Sequence, residues 1–440
     1  MMGKTAGRGL RAQLVRGSAV MIVGRGAGLV AGLVVSVMLA RLLGPAGYGV
    51  YALAQSIVAL LTVPAELGLP TLAIREVAVA TQQRNFGVLH GMVRWSQRVV
   101  LVLSAAIGLL ALLATQLWRS SFTADFPLTM TLAIVFLVVS SYSGLLQGFL
   151  QGVKQFALGL LPDLLFVPTS FALCLGIAWL GLRVSLTPPL AMALYTSCSV
   201  LSMLVVLGAV RLKLPRETWC TPPVTRPRTW ISETLPLCTT SALTLVNSQL
   251  IVVLIGALAT TRDVGLYRVA ASGAGMAIIV GATLGGVVGP YIATLHERGD
   301  VARLAKLATW SAWAGALPAA ALLVLYAVAG DRVLALVYSA QYAPALPALL
   351  MLTVGQTVNA ATGVVHVLLN MTGHGRDTLR GVALGAATGL ILGVALIPAF
   401  GLNGAAIAST LGIIAENLYL VLRVRLRLHI DSTILPRSAA

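Results

Sequence analysis

Apolar stretches about twenty residues long and almost free of charge recur roughly every 35 residues from Ala19 to Val421, and that recurrence leaves few folds open. A helix needs about 20 residues to cross a ~30 Å hydrocarbon core at 1.5 Å per residue. In lipid every backbone amide and carbonyl must find an internal partner, so only helices and closed barrels span it. Barrel strands are ~10 residues of alternating polarity, whereas these stretches are longer and do not alternate. Composition agrees: 58% of the 440 residues are hydrophobic and 10% charged, against ~25% charged in a soluble domain. The expected fold class is all-α and polytopic in a membrane.

Windows of about twenty residues place helices at 19–41, 48–70, 99–117, 127–149, 157–180, 188–210, 234–256, 264–290, 310–329, 344–369, 381–400 and 402–422, twelve in all. With the N-terminus inside, 23 Lys and Arg fall in cytoplasmic segments. Five fall outside (Arg41, Arg119, Arg183, Arg262 and Arg332), and Arg25 and Arg268 lie within spans. That bias puts both termini in the cytoplasm. The basic N-terminus precedes an apolar run too long for a signal-peptide core, so the first helix is expected to stay. The formal charge of +17 is a topology signal: the cations form no dense basic domain with interleaved aromatics, and nucleic acid is not an expected partner.

The outer connections are short and leave no room for an external catalytic domain, while the largest connections, 71–98, 211–233 and 296–309, are cytoplasmic. Segment 71–98 mixes Ile74, Val77, Phe86 and Leu89 with Arg75, Glu76, Arg84 and Arg94, which suits a helix lying in the interface. Segment 211–233 is the main composition break, with Pro215, Pro222, Pro223 and Pro227 among five basic residues, at the midpoint of the twelve spans. The expected organisation is a six-helix bundle over 1–214, a basic Pro-rich linker over 215–233, a second six-helix bundle over 234–422 and a basic tail over 423–440. Gly49-Val50-Tyr51-Ala52-Leu53-Ala54 and Gly265-Leu266-Tyr267-Arg268-Val269-Ala270 open helices 2 and 8 at an offset of 216. Six is even, so the halves read as parallel repeats about an axis along the membrane normal.

No catalytic constellation is present: 13 acids, mostly in loops, form no D-x-D, H-E-x-x-H or G-x-S-x-G pattern. Cys174, Cys198, Cys220 and Cys238 form no CxxC and read as apolar fillers, so neither a metal nor a disulfide framework is expected. No cofactor is called for, and His366, alone in its span, reads as a packed or hydrogen-bonded residue. Intramembrane ionisable groups cost ~2.5–3.5 kcal/mol on insertion scales and are therefore functional candidates. Arg25 stands out because its neighbours Gly24, Gly26, Gly28 and Gly32 leave its face uncrowded, so its planar fork could take a phosphate in a water-filled cavity. Arg268 and Arg41 are weaker cavity candidates. Asn247, Gln249, Gln356, Asn359 and Asn417 place amides near mid-span for sugar hydroxyls or neighbouring helices. Glu66, Asp163 and Glu416 are the candidates for a coupling ion. Gly24/Gly28/Gly32, Gly281/Gly285/Gly289 and Gly385/Gly389/Gly393 are small-residue stripes that suit close helix packing. Pro64, Pro162 and Pro168 are possible bending points.

The run Ala40-Arg41-Leu42-Leu43-Gly44-Pro45-Ala46-Gly47-Tyr48-Gly49-Val50-Tyr51, then Glu66-Leu67-Gly68-Leu69-Pro70 and Ile74-Arg75-Glu76, resembles the opening of the polysaccharide biosynthesis and export proteins, which include the O-antigen (Wzx-type) flippases. Ile397-Pro398-Ala399-Phe400-Gly401-Leu402-Asn403-Gly404-Ala405-Ala406-Ile407-Ala408 resembles the family's junction between its last two helices. The resemblance implies two six-helix bundles around a cavity, similar to multidrug and toxic-compound extrusion (MATE) transporters. It also implies movement of an undecaprenyl-diphosphate-linked oligosaccharide from the inner to the outer leaflet of the bacterial cytoplasmic membrane. The implied partners are that lipid-linked oligosaccharide, membrane lipid, and the polysaccharide polymerase and glycosyltransferases that act before and after it. The alternatives are a MATE-like drug or cation exporter and a lipid II flippase. The first ought to need cavity acids where the mid-membrane balance leans basic. The second is weakened by Ala52, which holds no charge where helix 2 might offer one.

Overall fold

The computed structural model describes residues 2–117, 124–180 and 185–434; the side chains of 2–23, 25, 29, 180, 235–242, 244 and 282 lie outside the description. Its long elements are α1 (Met2–Glu66), α3 (Phe86–Leu117), α4 (Phe126–Gly152), α7 (Pro188–Lys213), α9 (Pro227–Leu258), α12 (Val301–Val337) and α15 (Gly375–Leu428). Between them lie α2 (Leu69–Gln82), α5 (Phe156–Leu161), α6 (Val167–Leu180), α8 (Glu217–Cys220), α10 (Thr261–Gly275), α11 (Ile279–Glu297), α13 (Leu346–Ala361) and α14 (Val365–Met371). No strand occurs among the described residues.

Among the described residues, eight helical segments are long and apolar enough to cross a bilayer. Two of these, in α1 and α15, are each a pair of spans. At Gly44 (φ 66, ψ 175) and Gly401 (φ 52, ψ −125) the chain leaves helical geometry for one residue and resumes at once. Positive φ is unfavourable for residues with a Cβ, so a turn this short falls on glycine. With the two pairs divided and the α13–α14 pair and the shorter apolar part of α9 added, twelve apolar helical segments are found among the described residues, in an all-helical membrane fold.

Three expected elements come out differently. The tenth span, read from sequence as one helix over 344–369, is broken: α13 ends at Ala361, Gly363 (φ 75) turns the chain, and α14 resumes at Val365 with a 41° bend. The Ala361 carbonyl freed by the break accepts from the Ile434 amide at 3.3 Å. Segment 71–98 is not one interfacial helix, because α2 stops at Gln82 and α3 begins at Phe86, so the second half opens the next span. Pro162 does more than bend the fifth span. Residues Pro162–Phe166 form a π turn joining α5 to α6, a local irregularity often found at functional sites.

The chain divides into two compact units, residues 1–42 with 57–242, and 43–56 with 243–440. In the first, Leu72, Leu89, Met92, Phe149, Val206 and Trp230 belong to one buried cluster joining α2, α3, α4 and α7 to the start of α9. Gly24 and Gly28 lie against Leu161 and the Leu164 carbonyl, so part of the first glycine stripe is packing surface for the π turn. In the second unit, Ile292, Leu304, Leu368, Leu420 and Val424 form the corresponding cluster, which Ile430 of the tail joins. The tail is tied down by charge: Arg425 donates to Asp431 at 2.8 Å. Buried Asp377 is within 3.7 Å of Arg380 and Arg423 and 3.3 Å of Arg427.

Candidate functional site

The polar chemistry of the second unit gathers where the tenth span is broken. Ending α13 at Ala361 leaves Thr362 in the gap, and its hydroxyl donates to Asn417 Oδ1 of α15 at 2.8 Å. One turn beyond the gap, His366 of α14 presents Nε2 to Glu416 Oε1 at 3.3 Å. The other carboxylate oxygen accepts from Asn247 Nδ2 of α9, also at 3.3 Å. Only small residues allow this approach, since a Cβ on Gly385 would come within 2.8 Å of Glu416 Oε2. The Glu416 side chain is 10% exposed and that of His366 38% exposed, so the carboxylate is enclosed while the imidazole reaches open space.

That space is a cavity of about 540 Å³. Its glycine wall is Gly281, Gly285 and Gly289 of α11, and its apolar walls include Ile278, Val364, Val367 and Met371. Ser311, Asn359, His366 and Asn370 supply the polar edge. A mostly apolar chamber with a few convergent polar groups is the usual form of a small-molecule site. Its imidazole, that of His366, stands 3.3 Å from an enclosed carboxylate.

The sequence-derived candidates divide. Asn247 and Glu416 meet, and Asn359 lines the cavity while donating to Gln356 Oε1 at 3.3 Å. Gln249 instead accepts from Ser56 at 3.0 Å, away from the cluster. Arg268 of α10 is half-buried, forms no ion pair among the described residues and is not part of the cavity wall. Arg41 is exposed at the end of the first span. The Arg25 side chain lies outside the described residues. In the first unit, Asp163 sits in the π turn and accepts from Gln147 and, at 3.0 Å, from Ser202. Glu66 rests against Gly144, where a Cβ would stand 2.7 Å from its Oε1. Neither of these acids has a cationic partner among the described residues.

Thr362, Ser311 and Asn370 are site residues that sequence reasoning does not select, and His366 reads there only as a packed or hydrogen-bonded residue. The available signal is a further intramembrane ionisable residue close to a Thr-Gly pair, but nothing in the sequence joins His366 to Glu416 on a different helix. Among the described residues no cluster of three His, Cys, Asp or Glu could hold a metal.

The sequence profile of a polysaccharide biosynthesis protein family matches residues 14–296. No curated protein matches the chain. Among solved structures, it is similar to an inward-facing multidrug resistance MATE family transporter of the MOP superfamily, with a TM-score of 0.70, 13% identity, and 93% of this chain and 98% of that one covered. It is also similar to the lipid II flippase MurJ in an inward closed conformation, with a TM-score of 0.71, 11% identity, and coverage of 92% and 87%. A MOP superfamily transporter from Pyrococcus furiosus aligns with a TM-score of 0.62, 14% identity, and coverage of 94% and 95%. At such identities the likeness is one of fold.

Proposed function

We propose that this chain, which belongs to the polysaccharide biosynthesis protein family, is a flippase. It carries an undecaprenyl-diphosphate-linked oligosaccharide from the inner to the outer leaflet of the bacterial cytoplasmic membrane by alternating access, and catalyses no covalent step. The family and the MOP-type fold support a lipid-linked flippase or transporter. The observation that carries the mechanism further is the Asn247–Glu416–His366 chain at the wall of the cavity.

Transport against a gradient needs a group whose state differs between conformations. Glu416 is the best placed: enclosed, held by an amide on α9 with an imidazole of α14 3.3 Å away, beside a break in a span. In this reading His366 passes the proton between Glu416 and the cavity, and Asn247 keeps the carboxylate in register. Asp163 and Glu66 are the alternative coupling groups in the first unit. Substrate contacts divide by chemistry, with Arg25, Arg268 and Arg41 for the diphosphate and Asn359, Gln356, Asn247 and Gln249 for sugar hydroxyls. Both termini lie in the cytoplasm, and glycosyltransferases and a polymerase act before and after the step.

The test is Glu416→Gln in vesicles that carry a pH gradient and the lipid-linked glycan. The gradient should accelerate translocation by the parent protein and leave the variant at its gradient-free rate. Equal acceleration of both would remove Glu416 from coupling.

A further inference from the structure

The segment joining the sixth and seventh spans is a fixed platform. Its 13 residues between Lys213 and Pro227 could have formed a loose loop, yet they are bound to the start of α3. The Val224 amide donates to the Gly87 carbonyl at 2.9 Å, and His90 Nδ1 stands 2.7 Å from the Thr221 carbonyl. The backbone of Val224 fits so closely over Gly91 that any Cβ there would overlap it. Leu214 at the start of the segment and Trp230 just after it are buried in the unit's core, where Trp230 packs on Trp95 with centroids 5.2 Å apart and donates to Glu76 at 3.4 Å. Arg75 of α2 and Glu233 pair beside them.

What this platform presents outward is chemically lopsided. Arg211, Lys213, Arg216, Arg226 and Arg228 are all exposed against one exposed acid, Glu217, and none of the five side chains forms an ion pair or hydrogen bond among the described residues. Four large apolar side chains are exposed among them: Leu212 at 84%, Trp219 at 40%, Val224 at 48% and Ile231 at 57%. The segment follows directly from the end of one span, precedes another, and lies along the first turns of a third. Its junction with the span that ends at Lys213 sets its start at the depth of the headgroups. Unpaired cations beside exposed tryptophan and aliphatic groups at that depth suit anionic phosphate on one side and the upper acyl chain on the other.

We propose that the 211–231 face is a binding surface for anionic phospholipid headgroups of the cytoplasmic leaflet, preformed by its attachment to α3. This rests on the cytoplasmic placement of the linker and not on the identity of the transported glycan. A soluble protein partner is the competing occupant. Charge together with depth favours lipid, because a partner from the cytosol would leave Trp219 and Ile231 facing the bilayer surface without need of it.

Cys220, exposed at the end of α8 beside Trp219, is a natural reporter position. The full-length protein with Cys174→Ser, Cys198→Ser and Cys238→Ser carries a polarity-sensitive fluorophore on Cys220 in nanodiscs of phosphatidylcholine with or without phosphatidylglycerol. The expected result is a blue shift in the phosphatidylglycerol discs that fades as salt rises. In Arg216→Gln/Arg226→Gln/Arg228→Gln the phosphatidylglycerol concentration for half-effect should rise by roughly 10- to 100-fold. These three side chains are exposed, so unchanged thermal unfolding in detergent checks that the variant is folded. Identical emission in both discs, an unshifted half-effect in the folded variant, or a shift that appears only on adding cytosolic extract overturns the proposal. Labelling of Cys220 by an impermeant thiol reagent in intact cells would overturn the cytoplasmic placement, and the proposal with it, while leaving the transport reading to its own assay.

Discussion

Gly49 and Gly265 meet backbone to backbone in the second unit, and each occupies the other's position in the contact. A Cβ on Gly49 would fall on the Thr261 carbonyl, and one on Gly265 would fall on the Pro45 carbonyl. Pro45 and Thr261 are separated by the same 216 residues as the two glycines. The contact is therefore self-complementary, residue i on j and j on i, as at a two-fold interface. The shared string that opens helices 2 and 8 has its physical reason here: the position must lack a side chain because its counterpart lies against it.

Gly49→Ala and Gly265→Ala should each destabilise the protein by about 1–3 kcal/mol, the usual cost of overpacking. Because both act on one contact, the double variant should cost less than the sum. Gly275→Ala is the control, since a Cβ there meets nothing within 4 Å. Thermal unfolding in detergent reads all four; an unfolding temperature for Gly49→Ala equal to that of Gly275→Ala would contradict the close contact.

The repeat predicts that residues 1–214 and 234–440 superpose in the same membrane orientation with Tyr51 on Tyr267. An experimental structure with inverted halves, or with these tyrosines at unrelated depths, would refute it. Their neighbourhoods have already diverged: Tyr51 accepts from Gln55 at 3.0 Å while the Tyr267 hydroxyl pairs with Ser409 at 2.7 Å.

Much of this architecture is legible in sequence, and the parts that are not share a cause. Gly44-Pro45 and Gly401 stand between two apolar runs with no room for a loop, so the turns can be read directly. The break at Gly363 lies within a single apolar run, and whether glycine there bends the chain or rides in the helix depends on what receives the freed carbonyl. Its receiver is the amide of Ile434, beyond the last span. His366 reads as a lone histidine because its partner Glu416 is on another helix. The linker's charge and prolines are plain, but its attachment depends on Gly87 and Gly91, whose small size has no meaning until Val224 is laid across them.

If the imidazole relays a proton to Glu416, His366→Ala should slow proton-driven transport while leaving binding of the lipid-linked glycan intact, because the enclosed carboxylate keeps Asn247. A split between translocation rate and binding, measured in the same proteoliposomes, checks this. Equal loss of both would make His366 a substrate contact instead.

For Arg25 the prediction turns on geometry rather than charge. If it takes the diphosphate, Arg25→Lys should fail along with Arg25→Ala, since an ammonium keeps the charge and loses the two-donor fork. Arg25→Ala should express at least as well as the parent because the insertion cost is relieved. Surface polysaccharide in a strain carrying only the variant is the readout. Parental levels with Arg25→Lys would favour a snorkelling arginine, and parental levels with Arg25→Ala would leave Arg268 and the amides as the contacts.

Cytoplasmic placement of the linker predicts that a cysteine at Thr225 in a cysteine-free protein resists an impermeant reagent in intact cells and reacts after permeabilisation. Labelling in intact cells would reverse the topology.

The central claim, that the protein moves a diphosphate-linked glycan lipid across the bilayer, is tested most directly by reconstitution. Purified protein in proteoliposomes loaded with undecaprenyl-diphosphate-linked oligosaccharide should expose inner-leaflet glycan to an external glycosidase at a rate that rises with protein content. Protein-free vesicles should expose only the outer-leaflet share. A rate no greater than that of protein-free vesicles, together with export of a cationic drug by the same preparation, would contradict it.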